Sequence, residues 1–246
     1  YWQQTMPPVT LGIIGLGNIG STLAQYAMDL GWQVLGYDPL LPPSNLNNAS
    51  LEQVLSQSDA VSLHVPLTDS KDGTRPSGSD YPTKHFIDAN TLAMMPAHTL
   101  LINSARGPVI NARDLEADIE RTDRQVVLDV FEFEPEISER LLSKLAIATP
   151  HIAGYTLEGK LRGTQIIYDA LCEKLAVIPV QSMHGLLPLN MFLWSELKMH
   201  PDRLIKFYNI MEDDAALRSK LADGQVKGAD FDQLRRDYRL RREWQW

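Results

Sequence analysis

Residues 9–20 read VTLGIIGLGNIG, and this stretch decides the fold class. The apolar run of residues 9–14 is typical of a buried strand. The glycines that follow it directly are Gly15, Gly17 and Gly20. Apolar residues then recur at spacings of three or four, at Ile19, Leu23, Ala27 and Leu30, before Gly31. The spacing predicts a strand, a tight turn and an amphipathic helix that ends at Gly31.

Strands and helices continue to alternate along the chain. Further apolar, β-rich runs predict strands at residues 33–37, 60–65, 99–102 and 125–130. Ser50 and Gln53 have the spacing of a capping box, and Asn111 precedes a helical pattern as a cap. Strands joined by crossover helices pair in parallel, so we expect an α/β fold with a Rossmann-type doubly wound sheet. Ligands of such sheets bind beyond the carboxyl ends of the strands.

The second half of the chain predicts a long helix and a small C-terminal unit. A helical pattern covers residues 156–177 and ends at Ile178-Pro179. Shorter helical patterns follow at residues 204–207, 215–221 and 231–238, the last with Asp230 and Gln233 at capping-box spacing. We therefore expect three parts, namely a nucleotide-binding domain (1–155), a connecting helix (156–180) and a C-terminal domain (181–246).

The glycine-rich turn predicts a dinucleotide site. Gly15-Leu-Gly-Asn-Ile-Gly20 fits the pattern G-x-G-x-x-G between a strand and a helix, where the glycines allow the turn, the approach of a pyrophosphate and close packing. The candidate diphosphate-binding residues are Gly15, Gly17, Asn18, Ile19 and Gly20. Asp38 ends the second strand, 18 residues after Gly20. A carboxylate at this position accepts hydrogen bonds from the ribose hydroxyls and repels a 2′-phosphate. NAD is therefore favoured over NADP. The alternative to a dinucleotide site is a structural glycine turn followed by an unrelated Asp at the end of a strand.

Three ionisable residues follow predicted strands in the second half of this domain, namely Arg106, Glu134 and His151. An arginine fork binds a carboxylate in bidentate fashion. A histidine accepts a hydroxyl proton, and a neighbouring carboxylate fixes its tautomer. Together these groups suit the oxidation of a 2-hydroxy acid. Taken singly, each residue also has a structural explanation: Arg106 could form an ion pair, Glu134 could be a solvated loop carboxylate, and His151 could be an ordinary histidine.

Three short motifs place the sequence near a known family. They are Asn103-x-x-Arg106-Gly107, Asp129-Val130-x-x-x-Glu134-Pro135 and Pro150-His151. With the glycine turn, they resemble the D-isomer-specific 2-hydroxyacid dehydrogenases in order and spacing from Leu11 to Gly154. The resemblance implies that Arg106, Glu134 and His151 are catalytic and that Tyr155 lies at the substrate. It also implies that the NAD site includes Asp38, Val65, Ser104, Ala105, Arg106, Asp129 and Gly154, with Val65 where close relatives commonly have a threonine.

The resemblance extends to the C-terminal part. Stretches 151–164 and 230–244 resemble family members that oxidise a small phosphorylated 2-hydroxy acid and use an α+β C-terminal domain to form homodimers. From the residues alone, 230–246 predict a charged amphipathic helix with an arginine-rich end, which is either a solvated face or a means of reaching the substrate phosphate.

Family members place most of a substrate domain before the glycine turn. This chain is therefore expected to lack that part and to have an incomplete C-terminal domain. A dehydrogenase acting on phosphoglycerate, glycerate or another 2-hydroxy acid, and a non-catalytic NAD-binding module, remain alternatives.

Composition sets the outer bounds. The chain has 246 residues, of which 44% are hydrophobic, and its 23 basic against 31 acidic residues give a net charge of −8. This composition excludes a disordered chain, and the charge disfavours nucleic acid as a partner. Cys172 is the one cysteine, so neither an internal disulfide nor a cysteine-based zinc site is expected, and a cytoplasmic location is favoured. No metal site is predicted, and the absence of a long apolar run argues against a membrane partner.

Overall fold

A computed structural model describes residues 9–71, 78–200 and 203–245. Its strands are β1 (Thr10–Ile14), β2 (Gln33–Tyr37), β3 (Ala60–Leu63), β4 (Asp69–Ser70), β5 (Gly78–Ser79), β6 (Leu100–Asn103), β7 (Val126–Leu128), β8 (Ile137–Ser138), β9 (Ile147–Ala148), β10 (Leu221–Ala222) and β11 (Gln225–Val226). Its α-helices are α1 (Asn18–Asp29), α2 (Leu51–Gln57), α3 (Ala89–Met94), α4 (Ala112–Thr122), α5 (Glu139–Leu142), α6 (Leu157–Lys174), α7 (Trp194–Met199), α8 (Leu204–Phe207), α9 (Ile210–Arg218) and α10 (Gly228–Arg236). Short 3-10 helices cover Gly107–Val109 and Met183–Gly185.

Six strands form one parallel sheet in the order β2-β1-β3-β6-β7-β9. The chain leaves β1 toward β2 at one edge and then returns past β1 to β3, so the sheet is doubly wound. The predicted α/β fold class is confirmed. His151 was expected to follow a strand, and β9 is that strand, but its two residues are too short for the sequence to predict its bounds.

The sheet carries one apolar layer on each face. Leu11 and Ile13 of β1 pack with Ala24 and Ala27 of α1 in one cluster. Ile14 belongs to the larger cluster on the opposite face, because successive side chains of a strand alternate. That cluster includes residues of α2, α3 and α4, among them Val54, Leu92 and Leu115. The buried layers hold the strand ends in fixed register beneath the site.

Local signals placed the starts of α2, α4 and α6 correctly. Ser50 and Gln53 form the predicted capping box of α2, and the Asn111 side chain accepts from the amides of Arg113 and Asp114 at the start of α4. Thr156 caps α6 by accepting from the Gly159 amide. α6 ends at Lys174 rather than at 177, because Ala176 takes a left-handed conformation (φ 52°) and the chain turns there.

Two expectations about the C-terminal part are wrong. A helix does not continue from 230 to 246, since α10 ends at Arg236 and residues 237–245 form no helix but only isolated β-bridges at Arg241 and Gln245. Asp230 is not a cap either. It lies in the first turn of α10, whose cap is Lys227, so the Asp230 and Gln233 spacing is not a capping box.

The C-terminal elements pack against the sheet domain. β10 and β11 form a hairpin whose second strand pairs with β8, which follows Glu134. Leu217, Val226 and Phe231 are at most 1% exposed and belong to the larger core cluster. The predicted boundaries at 155 and 180 stay predictions, but α9 and α10 share the core beneath the candidate site. Within the described residues, no helix is both long and apolar enough to cross a membrane.

Candidate active site

The turn between β1 and α1 requires glycine at two positions. Gly15 has φ +91°, and a Cβ there would lie 2.5 Å from the carbonyl oxygen of His64. A Cβ at Gly20 would lie 2.0 Å from the carbonyl oxygen of Gly15. These contacts bring the turn against the β3 end and pack α1 on the sheet, as the glycine pattern predicts.

Gly17 differs, because nothing lies within 4 Å of the position a Cβ would take. Gly17 caps α1 without a side-chain hydrogen bond, and it is exposed together with Asn18 and Ile19. In the described part of the chain, no hydrogen-bond partner is present for the amides of residues 17–20. Open space, free donors and the positive end of the helix dipole are what a dinucleotide diphosphate requires, so the turn fits this cofactor.

Asp38 lies at the end of β2 beside this turn. Its Oδ2 accepts from the Leu16 amide at 2.9 Å, and its Oδ1 accepts from the Leu40 amide at 3.0 Å. Asn47 holds the Asp38 backbone through its side-chain oxygen and amide group. A carboxylate oxygen accepts more than one hydrogen bond, so Asp38 can hold the turn and still receive ribose hydroxyls.

Residues after β3 and β6 line the same edge of the sheet. Val65 packs against the glycine turn, since its Cγ1 lies 2.9 Å from the position of a Cβ on Gly15. Ser104 and Ala105 follow β6 in a tight turn. The buried Asn103 side chain holds that turn, accepting from the Ala105 amide and donating to the Arg106 carbonyl at 3.0 Å each. Asn103 was not among the predicted site residues, although it opens the Asn-x-x-Arg-Gly motif.

Arg106 is exposed, and its guanidinium donates to the carbonyl of Ala105 at 2.6 Å. Its remaining N–H groups form no hydrogen bond to Glu134 or His151 in the described structure. Gly107 places this turn against the next one, because a Cβ there would lie 1.9 Å from the Phe131 carbonyl oxygen. The sequence therefore needs glycine after the arginine, and Arg106 keeps donors free for an anion.

Glu134 and His151 form a hydrogen-bonded pair. Glu134 Oε1 lies 2.8 Å from His151 Nδ1, and Glu134 Oε2 accepts from the Phe131 amide at 3.1 Å. Burial raises the pKa of Glu134, but the hydrogen bonds and the charges of His151 and Arg235 outweigh it and hold the pKa below its ordinary value. Since an ionised carboxylate only accepts, His151 Nδ1 donates, and neutral His151 keeps Nε2 free to accept a proton.

Asp129 fixes the loop that carries His151. Its Oδ1 accepts from the Thr149 hydroxyl at 2.6 Å and the Ile152 amide at 2.8 Å, and its Oδ2 accepts from the Ala153 amide at 2.8 Å. Asp129 is 5% exposed, and burial raises its pKa despite these bonds. His151 itself has φ 55°, a conformation this network can support. The position of Asp129 makes it a positioning residue, and direct contact with NAD stays a prediction.

The other side of the same loop is held from the C-terminal segment. Arg241 donates to the Ile152 carbonyl at 2.7 Å and the Ala153 carbonyl at 3.2 Å. Arg242 pairs with Glu158 at 2.7 Å, and the Thr156 hydroxyl donates to Glu243 at 2.7 Å. Sequence reasoning did not assign these residues to the site, because contacts more than 80 residues apart leave no local pattern.

Gly154 and Tyr155 complete this loop. No atom lies within 4 Å of a Cβ position at Gly154, so the backbone is open to a ligand there. The Tyr155 amide donates to the Ile152 carbonyl at 2.9 Å, and the ring lies under the Lys160 ammonium at 3.8 Å. The candidate residues thus follow β1, β2, β3, β6, β7 and β9, at the carboxyl edge of the sheet.

Comparison with known proteins agrees with this geometry. Residues 2–153 match the model of the D-isomer specific 2-hydroxyacid dehydrogenase NAD-binding domain. The chain belongs to this family. Residues 200–246 match a second model, described as a domain of unknown function. Residues 2–153 are the NAD-binding domain of a D-2-hydroxyacid dehydrogenase, and its cofactor is NAD.

Relatives within the D-2-hydroxyacid dehydrogenases are similar over the chain. Erythronate-4-phosphate dehydrogenase of Psychrobacter arcticus is 76% identical across 100% of this chain and 67% of its own length. The enzyme of the same name from Acinetobacter baylyi is 51% identical across 96% and 65%. A solved structure, the Aquifex aeolicus D-lactate dehydrogenase complexed with NAD and lactic acid, is 31% identical with a TM-score of 0.54, across 68% of this chain and 54% of that one. The chain therefore spans about two thirds of these relatives and about half of that structure.

Proposed function

We propose that the protein oxidises 4-phospho-D-erythronate to 3-hydroxy-2-oxo-4-phosphooxybutanoate with NAD, as a step in pyridoxal 5′-phosphate biosynthesis. The observation that carries this proposal is the 2.8 Å pair of Glu134 and His151 on loops at the carboxyl edge of an NAD-binding sheet. Two relatives named for this activity, 76% and 51% identical, support the choice of substrate.

His151 is the general base in this proposal. Its Nε2 accepts the proton of the C2 hydroxyl, while ionised Glu134 holds Nδ1 and stabilises the imidazolium that forms. Arg106, with free N–H groups, binds the substrate carboxylate in a bidentate pair and orients C2. Tyr155 contacts the substrate from the same loop as His151. When bound, NAD accepts the hydride that leaves C2.

The test compares substrates in the intact protein. We expect kcat/KM for 4-phospho-D-erythronate to exceed that for 3-phosphoglycerate and for glycerate by at least about 100-fold. Glycerate lacks the phosphate and 3-phosphoglycerate carries it one carbon closer to C2, and a charge-assisted contact that is lost or misplaced costs about 3 kcal/mol. NADH formation followed by absorbance measures all three reactions. A preference for 3-phosphoglycerate would replace the substrate assignment. NAD binding without turnover of any 2-hydroxy acid would favour a non-catalytic NAD-binding module.

We also propose that the protein forms a homodimer through an apolar surface on α6 and the segment after it. Ile167, Leu171 and Leu175 recur at i, i+4 and i+8 and are 72%, 51% and 62% exposed, and Ile178 is 86% exposed. Such a contiguous apolar face is typical of an interface. Analytical ultracentrifugation of Ile167→Glu should show a shift toward monomer, while Glu173→Gln, at an exposed position on the opposite face of the same helix, serves as a control. An unchanged mass for Ile167→Glu would contradict this interface.

A cytoplasmic location is proposed as well. It rests on Cys172, a buried free thiol that suits a reducing compartment.

A further inference from the structure

A cationic cleft opens beside Tyr155, between the start of α6 and the end of α10. Its volume is about 530 Å³, and its lining includes Lys160, Arg235, Arg236 and Asp232. The lining residues of the described chain thus carry two guanidinium groups and one ammonium group against a single carboxylate. The net charge of the cleft lining is therefore positive, although the whole chain carries −8, and a positive cleft favours an anionic ligand.

The cations of the cleft are poorly neutralised by the protein itself. Arg235 Nε is buried and has no hydrogen-bond partner among the described residues. The nearest approach of its guanidinium to Asp232 is 3.8 Å, too long for a hydrogen bond. The Lys160 ammonium lies over the Tyr155 ring at 3.8 Å, and no carboxylate partner for it is found in the described structure. No hydrogen bond from the Arg235 guanidinium is found among the described residues, so its terminal N–H groups remain as donors for an anionic ligand in the cleft.

The cleft adjoins the Glu134–His151 pair. The Arg235 guanidinium lies 5.9 Å from the Phe231 ring, which packs edge-on against Phe131 at 6.4 Å, and the Phe131 amide donates to Glu134. The Arg235 guanidinium also lies 5.7 Å from the Tyr155 ring, and the Tyr155 amide bonds to Ile152, next to His151. The cleft therefore lies beside the loop that carries the proposed base.

We propose that Lys160, Arg235 and Arg236 bind the phosphate monoester of the substrate. This deepens the proposed function and rests on it. Arg106 already serves the carboxylate, so a substrate with two anionic ends needs a second cationic group, and the cleft supplies it. A phosphate dianion has several acceptor oxygens, so it can accept hydrogen bonds from the guanidinium groups of Arg235 and Arg236 and from the Lys160 ammonium at the same time. Residues 200–246 thereby gain a function, since α10 carries both arginines.

Inorganic phosphate is the first probe, because its binding needs no turnover. In a ¹⁵N-detected titration of this chain at constant ionic strength, the Arg235 Nε–H signal should shift saturably with phosphate. With the backbone amide of Tyr238 in the cleft as the reporter in every variant, Arg235→Gln and Lys160→Gln should each raise the phosphate Kd by at least about fivefold, as expected for one charge-assisted bond. Lys227→Gln, an exposed lysine on Asp223, is the matched control. An unsaturable shift, or equal Kd values in all variants, overturns the proposal.

Kinetics of the intact protein separate this cleft from the reaction itself. Lys160→Gln, an exposed change that leaves the core intact, should lower kcat/KM for 4-phospho-D-erythronate by about tenfold more than it lowers kcat/KM for unphosphorylated D-erythronate. An equal loss on both substrates overturns the phosphate assignment. If the parent protein oxidises neither substrate, the proposed function fails. The phosphate titration still tests, without any turnover, whether the cleft binds phosphate.

Discussion

The guanidinium of Arg241 donates a 2.7 Å hydrogen bond to the carbonyl oxygen of Ile152, the residue after His151. Asp129 binds the Ile152 amide from the opposite side at 2.8 Å. The loop that carries the proposed base is therefore held between the sheet domain and a segment almost 90 residues further along the chain. Small displacements of such a base have large kinetic effects.

Arg241→Ala should reduce kcat while affecting NAD affinity little. We expect a loss of about tenfold or more in kcat, because the loop loses its outer hydrogen bonds and Nε2 is less well placed. Arg241→Lys keeps the charge without the fork and should restore part of the rate. Arg239→Ala, at an exposed arginine nearby, is the control in the same steady-state assay. Equal kcat in Arg241→Ala and the parent would show that the loop does not need this contact.

His151→Asn and Glu134→Gln should separate chemistry from binding. Loss of a general base lowers kcat by roughly 100- to 10,000-fold, whereas the glycine turn that holds the diphosphate is untouched. Glu134→Gln keeps an acceptor for the Phe131 amide but removes the charge facing the imidazolium. Calorimetric NAD titration should give unchanged Kd values. Glu136→Gln, an exposed carboxylate two residues away, should retain full activity, and retained activity in His151→Asn would refute the assignment.

Asp38→Asn should weaken NAD binding and relax discrimination against NADP. The amide oxygen can still accept from the Leu16 amide, but the negative charge that repels a 2′-phosphate is gone. We expect NAD affinity to fall by about tenfold and NADP affinity to rise toward it. Calorimetry on this chain measures both, with Asp123→Asn as a remote control. An unchanged NAD to NADP ratio would contradict the role of Asp38.

Two glycine substitutions should have opposite consequences. Gly107→Ala would place a Cβ 1.9 Å from the Phe131 carbonyl oxygen and should cost about 3 kcal/mol of unfolding free energy. Gly17→Ala meets open space and should change stability by less than about 1 kcal/mol, yet obstruct the diphosphate and weaken NAD binding. Urea unfolding and NAD titration of both variants check the pair. A stable Gly107→Ala protein would mean that the two turns separate easily.

His64 should make stability depend on pH. Burial lowers the pKa of His64 from 6.5 to about 4, and the ring shares a 2.9 Å hydrogen bond with Ser62. The unfolded chain binds the proton first, so stability should fall as pH drops from 6.5 toward 4, by at most about 3 kcal/mol. His64→Gln should flatten this part of the profile in urea unfolding, while His98→Gln, at an exposed histidine, should not. Identical slopes would rule out His64.

Much of the nucleotide-binding half was predictable because its determinants are local. The glycine spacing, the cap at Asn111 and the alternation of apolar runs each depend on residues within a few positions of one another, and the structure confirms them. The candidate site was predictable as a set of loops for the same reason, since parallel strands bring their carboxyl ends to one edge.

The remaining features depend on contacts between distant residues. β9 is too short for a pattern. The residues after Arg236 resemble a helix in composition yet form none, because Arg241 and Glu243 bind the loop at 152–156 instead. The conformation of His151 at φ 55° likewise follows from Asp129, 22 residues earlier, and from no propensity of its own. Tertiary hydrogen bonds decide these positions.

The strand order has a consequence for redesign. β2, which ends at Asp38, and β9, which leads to His151, form opposite edges of the sheet, so about 24 Å of backbone separates them at ordinary strand spacing. Changes at positions this far apart usually combine additively. Mutations at the β2 edge that change cofactor preference can therefore be combined with mutations at the β9 edge that change substrate choice, because the two sets act independently.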